Sequence, residues 1–121
     1  MSVTAPEEVV TNAFVREVDL EPFGFAGKLA LITIDNGVDY NRPNTIGPEG
    51  LKALNAAIDQ ALATGADAIG ITGKPFIFAA GADLSGIASV TDGAQARAFG
   101  KFGHDVFRRL GECGKPTFAF I

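Results

Sequence analysis

Residues 76–84 read FIFAAGADL and follow the apolar segment Ala68–Thr72, which is a predicted strand. Two phenylalanines lead into a turn of alanine and glycine, and Asp83 stands where a helix can begin. Small side chains at such a turn leave backbone N–H groups uncovered, and uncovered N–H groups at a helix start attract negative charge. The stretch therefore predicts a strand–turn–helix unit whose turn can form part of an oxyanion hole.

The apolar patterning on both sides of that stretch predicts an α/β architecture. Residues 28–35 are apolar almost throughout, as expected for a strand buried on both faces. Apolar residues recur at helical spacing from Pro48, which can open a helix because its missing N–H is harmless there, to Gly65, which ends it. The order strand, helix, strand, helix, strand favours right-handed crossovers. The remaining predicted elements are a strand over 14–19 that can pair with 28–35 as a hairpin, a helix over 92–113 and a strand over 117–121.

The last residues carry a strand pattern with no turn, cap or polar tail after Ile121. Strand 117–121 has the composition of a central strand, and a natural C-terminus is rarely placed inside one. We therefore expect the chain to be the N-terminal piece of a longer protein.

The composition is that of a chain able to build a core, with a small acidic excess. Of its 121 residues 47% are hydrophobic, and the formal net charge is −4. This balance favours neither nucleic acid nor an anionic membrane as a partner. The single cysteine, Cys113, excludes an internal disulfide and fits a reducing cytoplasm. The N-terminus lacks the pattern of a signal peptide, and no window approaches the ~18 apolar residues of a membrane span.

Several cofactor-binding motifs are missing from the sequence. No two of the 15 glycines are two positions apart, so the Gly-x-Gly element of dinucleotide-binding proteins is absent. Gly73-Lys74 is followed by Pro75, where a phosphate-binding loop requires Ser or Thr. One histidine and one cysteine cannot assemble a zinc site of the common kind. We therefore expect neither a nucleotide cofactor nor a metal in this segment.

Other chemically capable residues have the context of structural ones. His104 has no visible triad partner, and Cys113 has no nearby base in the sequence. The aromatic stripe over 99–110 is typical of a helix that packs on a core. The alanine-rich turn is by itself also typical of a plain strand-to-helix connection. Solvated positions are predicted for three basic residues of the second helix: Lys101, Arg108 and Arg109.

Four features in order resemble the crotonase (enoyl-CoA hydratase/isomerase) superfamily over roughly residues 28–121. The apolar strand 29–35 comes first. Residues 41–46 (NRPNTI) are similar to the family's Arg-Pro-x-x-Asn-Ala-Leu loop. Residues 68–84, ending in FIFAAGADL, are similar to its Gly-x-x-x-Phe-x-Ala-Gly-x-Asp-Leu motif, which is the most specific of the four. Residues 115–121 (KPTFAFI) are similar to its Lys-Pro-x-Ile-Ala-x-Ile strand.

The resemblance implies a ββα superhelix of which only the N-terminal part is present. Residues 1–27 would form an N-terminal extension with the first strand and turn, and residues 28–121 the N-terminal part of an acyl-CoA-binding domain. The similarity is greatest to the hydratase half of bacterial multifunctional fatty-acid oxidation proteins, which join such a domain to a 3-hydroxyacyl-CoA dehydrogenase.

The resemblance also implies roles for particular residues. The backbone N–H of Ala82 would be the first of two oxyanion donors, and Ala79 and Ala80 would keep bulk away from the acyl-CoA. The second donor, a glycine, and two catalytic glutamates would lie beyond residue 121, since neither Glu49 nor Glu112 stands at a matching position. Asp83 is also a plausible helix N-cap. Arg42 is implied to contact the substrate, and its alternative interpretation is a solvated loop cation. Thr45 stands where the family usually has alanine. The implied substrate-binding positions are Ala80, Gly81, Ala82, Asp83, Leu84, Arg42 and Thr45.

The implied activity is hydration of a trans-2-enoyl-CoA in fatty-acid β-oxidation. Two alternatives stay open: another crotonase reaction, such as isomerisation or hydrolysis of a CoA thioester, and a non-catalytic acyl-CoA-binding or assembly fragment. No cofactor is implied in this segment, and NAD would serve only a downstream dehydrogenase domain. The implied partners are the acyl-CoA and further copies or subunits of a β-oxidation complex, in the cytoplasm.

Overall fold

The computed structural model describes residues 7–85 and 90–121, which form one four-stranded sheet and two long helices. The predicted elements are confirmed to within two residues, and β1 begins earlier than predicted because Asn12 already pairs with Asp35. The elements are β1 (Asn12–Asp19), a 3-10 turn (Glu21–Phe23), β2 (Lys28–Asp35), α1 (Pro48–Ala63), β3 (Ala68–Thr72), α2 (Gly93–Glu112) and β4 (Thr117–Phe120). The part of the predicted N-terminal extension that comprises residues 1–6 lies outside the described residues.

The strands lie in the order β1-β2-β3-β4. β1 and β2 form the predicted antiparallel hairpin, while β2–β3 and β3–β4 are parallel. Each parallel pair is joined through a segment containing one of the long helices, as expected for βαβ connections. The mixed sheet therefore combines a hairpin at one edge with two crossovers at the other.

The hydrophobic core lies between one face of the sheet and α1. Pro48 opens α1, Gly47 is its N-cap, and the Glu8 carboxylate accepts two hydrogen bonds from the Glu49 N–H at 3.0 and 3.1 Å. Gly65, just past the helix, adopts φ 72°, a conformation that favours glycine. The buried residues that α1 and the strands contribute are Leu51, Leu54, Ala57, Ile58, Ala61, Ala30, Ile32, Ile34 and Ile69.

α2 packs on α1 and adds Val106 to the core. Its N-cap is Asp92, whose carboxylate accepts a hydrogen bond from the Gln95 N–H at 2.7 Å. Arg109 hydrogen-bonds to the Asn55 side chain and pairs with Asp59, both on α1. The prediction of a solvated Arg109 is therefore wrong, because helix–helix packing brings two acceptors from α1 to a position that looks like free surface in the sequence.

The other face of the sheet is open, contrary to the prediction that β2 is buried on both faces. Leu31 and Thr33 of β2 are only half-buried there, and all four residues of β4 are exposed. β4 also lies at the edge of the sheet formed by the described residues, whereas its composition predicts a central strand. Neither α1, α2 nor any other helix in the described ranges has the length and apolar composition of a membrane span.

Candidate functional site

Three segments meet at the carboxyl ends of β2 and β3. Because these strands are parallel, the loops that follow them leave the sheet at the same edge. The two loops are joined by a short parallel bridge between Ile46 and Ala82, and the Ala80 N–H donates to the Asn44 carbonyl at 2.8 Å. The third segment is the N-terminal arm, residues 7–11, which hydrogen-bonds to both loops. The FIFAAGADL stretch is thus held by backbone contacts from far along the chain.

Asn44 is the fully buried side chain that fastens these loops to the sheet. Its Nδ2 donates to the carbonyls of Ile34 and Phe78, both at 2.9 Å, and its Oδ1 accepts from the Asn36 N–H at 2.9 Å. Every polar atom of the amide is therefore engaged with backbone, which is what burial of an amide requires. Asn44 fixes the exit of β2 against the start of the alanine-rich turn.

Asp83 ties the end of the alanine-rich turn to its surroundings. Its residue is 6% exposed. Oδ2 accepts from the Val9 N–H and the Thr45 hydroxyl, each at 3.2 Å, while Oδ1 accepts from the Ser85 N–H at 2.9 Å and from the Ser85 hydroxyl. The contact with the Ser85 N–H is that of a helix N-cap, since Leu84 and Ser85 are helical. Asp83 therefore positions the turn from within the protein.

The backbone of Ala82 is held rigidly while its own N–H stays uncommitted. On either side of it, the Gly81 carbonyl accepts from the Ile46 N–H at 2.9 Å and the Asp83 N–H donates to the Ile46 carbonyl at 3.0 Å. Because the C=O and N–H of a trans peptide point in opposite directions and the Gly81 carbonyl faces Ile46, the N–H of Ala82 points away from Ile46. No residue in the ranges 7–85 and 90–121 accepts a hydrogen bond from it.

A cavity of about 680 Å³ opens beside this turn. Six of the seven substrate-binding residues that the resemblance implies line this cavity. The seventh, Gly81, is exposed, has a φ of 86° and lies in the chain between the lining residues Ala80 and Ala82. Among its lining residues, Arg42 carries a positive charge and Glu7 a negative one. The lining residues are Glu7, Val9, Asn36, Arg42, Pro43, Thr45, Ala80, Ala82, Asp83, Leu84 and Ser85.

The sequence does not point to three residues that the structure brings to this site. Glu7 lines the cavity although the sequence places it in the N-terminal extension, away from the motifs of the site. Asn36 lines it too, and its side chain accepts a hydrogen bond from the ammonium group of Lys74 at 2.7 Å. These contacts join residues 38 to 78 positions apart, so no local pattern in the sequence announces them.

The other chemically capable residues lie away from this cavity. His104 and Cys113 belong to α2 and its C-cap, where the Cys113 Sγ contacts the Leu110 carbonyl at 3.3 Å. On the same helix, the hydrogen bond from Lys101 holds the pKa of Asp105 below its usual value. Within the part of the chain that the structure describes, no three His, Cys, Asp or Glu side chains come together as a metal site would need.

The fold that these elements define is the crotonase fold. No protein-family model matches the sequence, and no curated protein is significantly similar to it. Solved structures do match. An enoyl-CoA hydratase/isomerase from Xanthobacter autotrophicus Py2 superposes with a TM-score of 0.71 at 26% identity, over 91% of this chain and 38% of its own.

Two further solved structures resemble the chain to a similar degree. EchA3 from Mycobacterium tuberculosis, described as a probable enoyl-CoA hydratase, has a TM-score of 0.68 at 30% identity, over 88% of this chain and 40% of its own. An enoyl-CoA hydratase from Thermoplasma volcanium GSS1 has a TM-score of 0.68 at 27% identity, over 87% and 38%. The chain thus spans about 40% of the length of the solved structures that it matches.

Proposed function

We propose that the protein binds an acyl-CoA thioester in the 680 Å³ cavity and that the Ala82 N–H donates a hydrogen bond to the thioester carbonyl oxygen. The observation that carries the proposal is the Ala82 N–H itself, which has no acceptor among the described residues although the Gly81 carbonyl before it and the Asp83 N–H after it are both bonded to Ile46. The likeness to enoyl-CoA hydratases supports a crotonase-type reaction, and hydration of a trans-2-enoyl-CoA is the reaction that we propose.

The chemistry needs a donor of this kind. When a nucleophile adds to C3 of an enoyl thioester, the thioester oxygen gains negative charge as the α-carbon becomes enolate-like. A backbone N–H already held in place stabilises that charge without reorganising during the reaction, and losing one such donor costs about 3 kcal/mol of barrier. The hydrogen bonds of Gly81 and Asp83 to Ile46 provide the required rigidity.

The other residues of the cavity would each contact a different part of the substrate. Arg42 would pair with the phosphates of CoA, for which a guanidinium is well suited. Ala80 and Gly81 are exposed and small, so they would let the thioester approach the backbone closely. Leu84 would offer an apolar surface and Thr45 a hydroxyl, while Asp83 would act by holding the turn.

The remaining machinery lies outside this chain in our proposal. The intact protein would add a second N–H donor and two carboxylates that handle water, and the chain would be its N-terminal part, by analogy with the solved structures of which it spans about 40%. It would act in the cytoplasm as a homo-oligomer or within a β-oxidation complex. No cofactor is required for hydration, and NAD would serve only a dehydrogenase domain fused downstream, as in multifunctional fatty-acid oxidation proteins.

Isomerisation of an enoyl-CoA is the second candidate. The matched Xanthobacter protein is named an enoyl-CoA hydratase/isomerase, and an oxyanion donor at Ala82 would serve both reactions because each passes through an enolate-like thioester. Product analysis separates the two, since hydration gives a 3-hydroxyacyl-CoA and isomerisation moves the double bond.

Removing the Ala82 N–H tests the proposal. In the intact protein, Ala82→Pro should lower kcat for trans-2-enoyl-CoA by about 100- to 1,000-fold, followed as loss of enoyl-thioester absorbance, while CoA binding largely survives. Ala82→Gly is the matched control because it keeps the N–H and should retain turnover. An amide-to-ester replacement at residue 82 removes the N–H without a proline ring. Wild-type-like kinetics in the folded ester variant would refute the assignment of Ala82.

A further inference from the structure

Lys74 is a buried lysine that the proposed chemistry does not use. It lies two residues beyond β3 and is 9% exposed. Its ammonium group donates to Asn36 Oδ1 at 2.7 Å and to the carbonyls of Arg42 at 2.5 Å and of Val38 and Asp39 at 3.1 Å. All four acceptors belong to residues 36–42, hereafter the Lys74 loop, which follows β2.

The acceptors around Lys74 are neutral oxygens. No carboxylate within the described residues forms an ion pair with it. A buried ammonium is strongly unfavourable unless nearby groups offset the loss of its hydration. Around Lys74 the offset comes from the dipoles of carbonyl and amide groups. The dependence is mutual, because without the cation three backbone carbonyls would face one another with no donor between them.

The Lys74 loop has few other means of keeping its shape. Residues 37–42 are all exposed, and the loop's own hydrogen bonds are short-range, such as Val38 N–H to Asn36 Oδ1 at 3.0 Å and Arg42 N–H to the Asp39 carbonyl at 3.0 Å. The ammonium of Lys74 bonds to both ends of the loop, Asn36 and Arg42, and adds to the bonds of Asn36 to the Pro43 carbonyl and to Asn44 Oδ1. Both of these residues also line the candidate cavity.

We propose that Lys74 is a positioning residue whose ammonium holds the Lys74 loop in the shape that presents Arg42 to the phosphate groups of a CoA ligand. This inference rests on the proposed function for the identity of the ligand and goes beyond it by assigning phosphate recognition to a buried cation that does not itself touch the ligand. Lys74 then sets affinity for the phosphate-bearing part of the substrate and leaves the thioester end alone.

The first test compares Lys74→Met with Lys52→Met in the intact protein. Both remove one ammonium, but Lys52 is an exposed residue of α1 that pairs with Glu49, so it controls for net charge. In Lys74→Met we expect amide hydrogen exchange in residues 36–42 to rise at least about tenfold, since the loss of even one charge-assisted hydrogen bond has an effect of that size, while Lys52→Met leaves it unchanged. Equal protection of this loop in both variants would overturn the proposal.

The second test separates positioning of Arg42 from damage to the whole site. Affinity is measured for CoA and for an acyl-pantetheine thioester, which lacks the phosphates. Lys74→Met and Arg42→Ala should each weaken CoA binding about tenfold and acyl-pantetheine binding hardly at all, and the double variant should lose no more than Arg42→Ala alone. Additive losses, or equal losses for both ligands, would show that Lys74 does not act through Arg42.

Chemical rescue covers the case of a poorly folded methionine variant. Lys74→Ala leaves space for propylammonium, which replaces the missing atoms and the charge, whereas 1-propanol supplies a neutral mimic. Restoration of loop protection and CoA affinity by propylammonium alone supports the proposal, and failure to restore either contradicts it. If wild-type protein binds no CoA, the proposed function fails, while the exchange and rescue measurements still decide whether Lys74 holds the loop.

Discussion

The two faces of the sheet carry similar side chains and have different surroundings. On the face that α1 covers, Ala30, Ile32 and Ile34 are almost fully buried. On the opposite face, Phe14, Phe118 and Phe120 remain 58%, 52% and 48% exposed. The alternation of apolar residues along a strand therefore identifies its two faces without showing which of them the chain itself will cover.

The general preference for right-handed crossovers accounts for the single covered face. The sheet is built outward in one direction, from β2 to β3 to β4, and each step is a parallel connection that contains a long helix. Right-handed crossovers that advance in the same direction place their helices on the same side of the sheet. α1 and α2 therefore pack against each other on one face, and the hairpin partner β1 adds no helix to the other.

The largest expected difference between the faces concerns stability. In the 121-residue chain, Ile32→Ala should lower the free energy of unfolding by about 2–5 kcal/mol, because it opens a cavity under α1. Phe118→Ala removes a larger side chain from the open face and should lower it by less than about 1 kcal/mol, since half of the ring already contacts water. Urea unfolding measures both. Similar losses would show that the open face is covered in solution.

The sequence predicts the elements better than their environment. The bounds of β2, α1 and α2 follow from local signals, such as Pro48 at a helix start and Asp92 as a cap, and the structure confirms them. Burial of both faces of β2 and a solvated Arg109 are wrong predictions, because each depends on where a distant element packs. The hydrogen bonds and packing that decide these features connect residues about 50 positions apart.

Gly70 offers a sharper test of how the open face is packed. An added Cβ at this residue would lie 2.7 Å from Cε2 of Phe120 and 3.2 Å from Cδ1 of Leu31. Gly70→Ala should therefore lower the free energy of unfolding by about 1–2 kcal/mol more when Phe120 is present than in a Phe120→Ala background, as measured in a double-mutant cycle. Additive effects on unfolding would mean that the Phe120 ring does not rest on Gly70.

In the candidate site, too, some features follow from the local sequence and others depend on residues far along the chain. The FIFAAGADL stretch points to Ala82 from composition and resemblance, and the structure places its N–H without an acceptor among the described residues. The supports of that turn are distant: Asn44 reaches it from the loop after β2, and the N-terminal arm reaches Asp83 through Val9. A single sequence contains no periodicity that links such positions, so the roles of Asn44 and Lys74 emerge only from the three-dimensional structure.

The smallest expected effect concerns Phe76, an aromatic residue beside the open face that is 97% exposed. Its φ is 70°, in the region that disfavours every residue with a Cβ, and its ring makes an edge-on contact with Tyr40 at 6.3 Å between centroids. Phe76→Ala loses the ring and keeps the strain, whereas Phe76→Gly loses both. The glycine variant should therefore be about 1 kcal/mol more stable than the alanine variant in urea unfolding, because only glycine adopts this conformation without penalty. Equal stability of the two variants would show that this backbone conformation is not maintained in solution. The Phe76 side chain would then lie elsewhere than beside the open face.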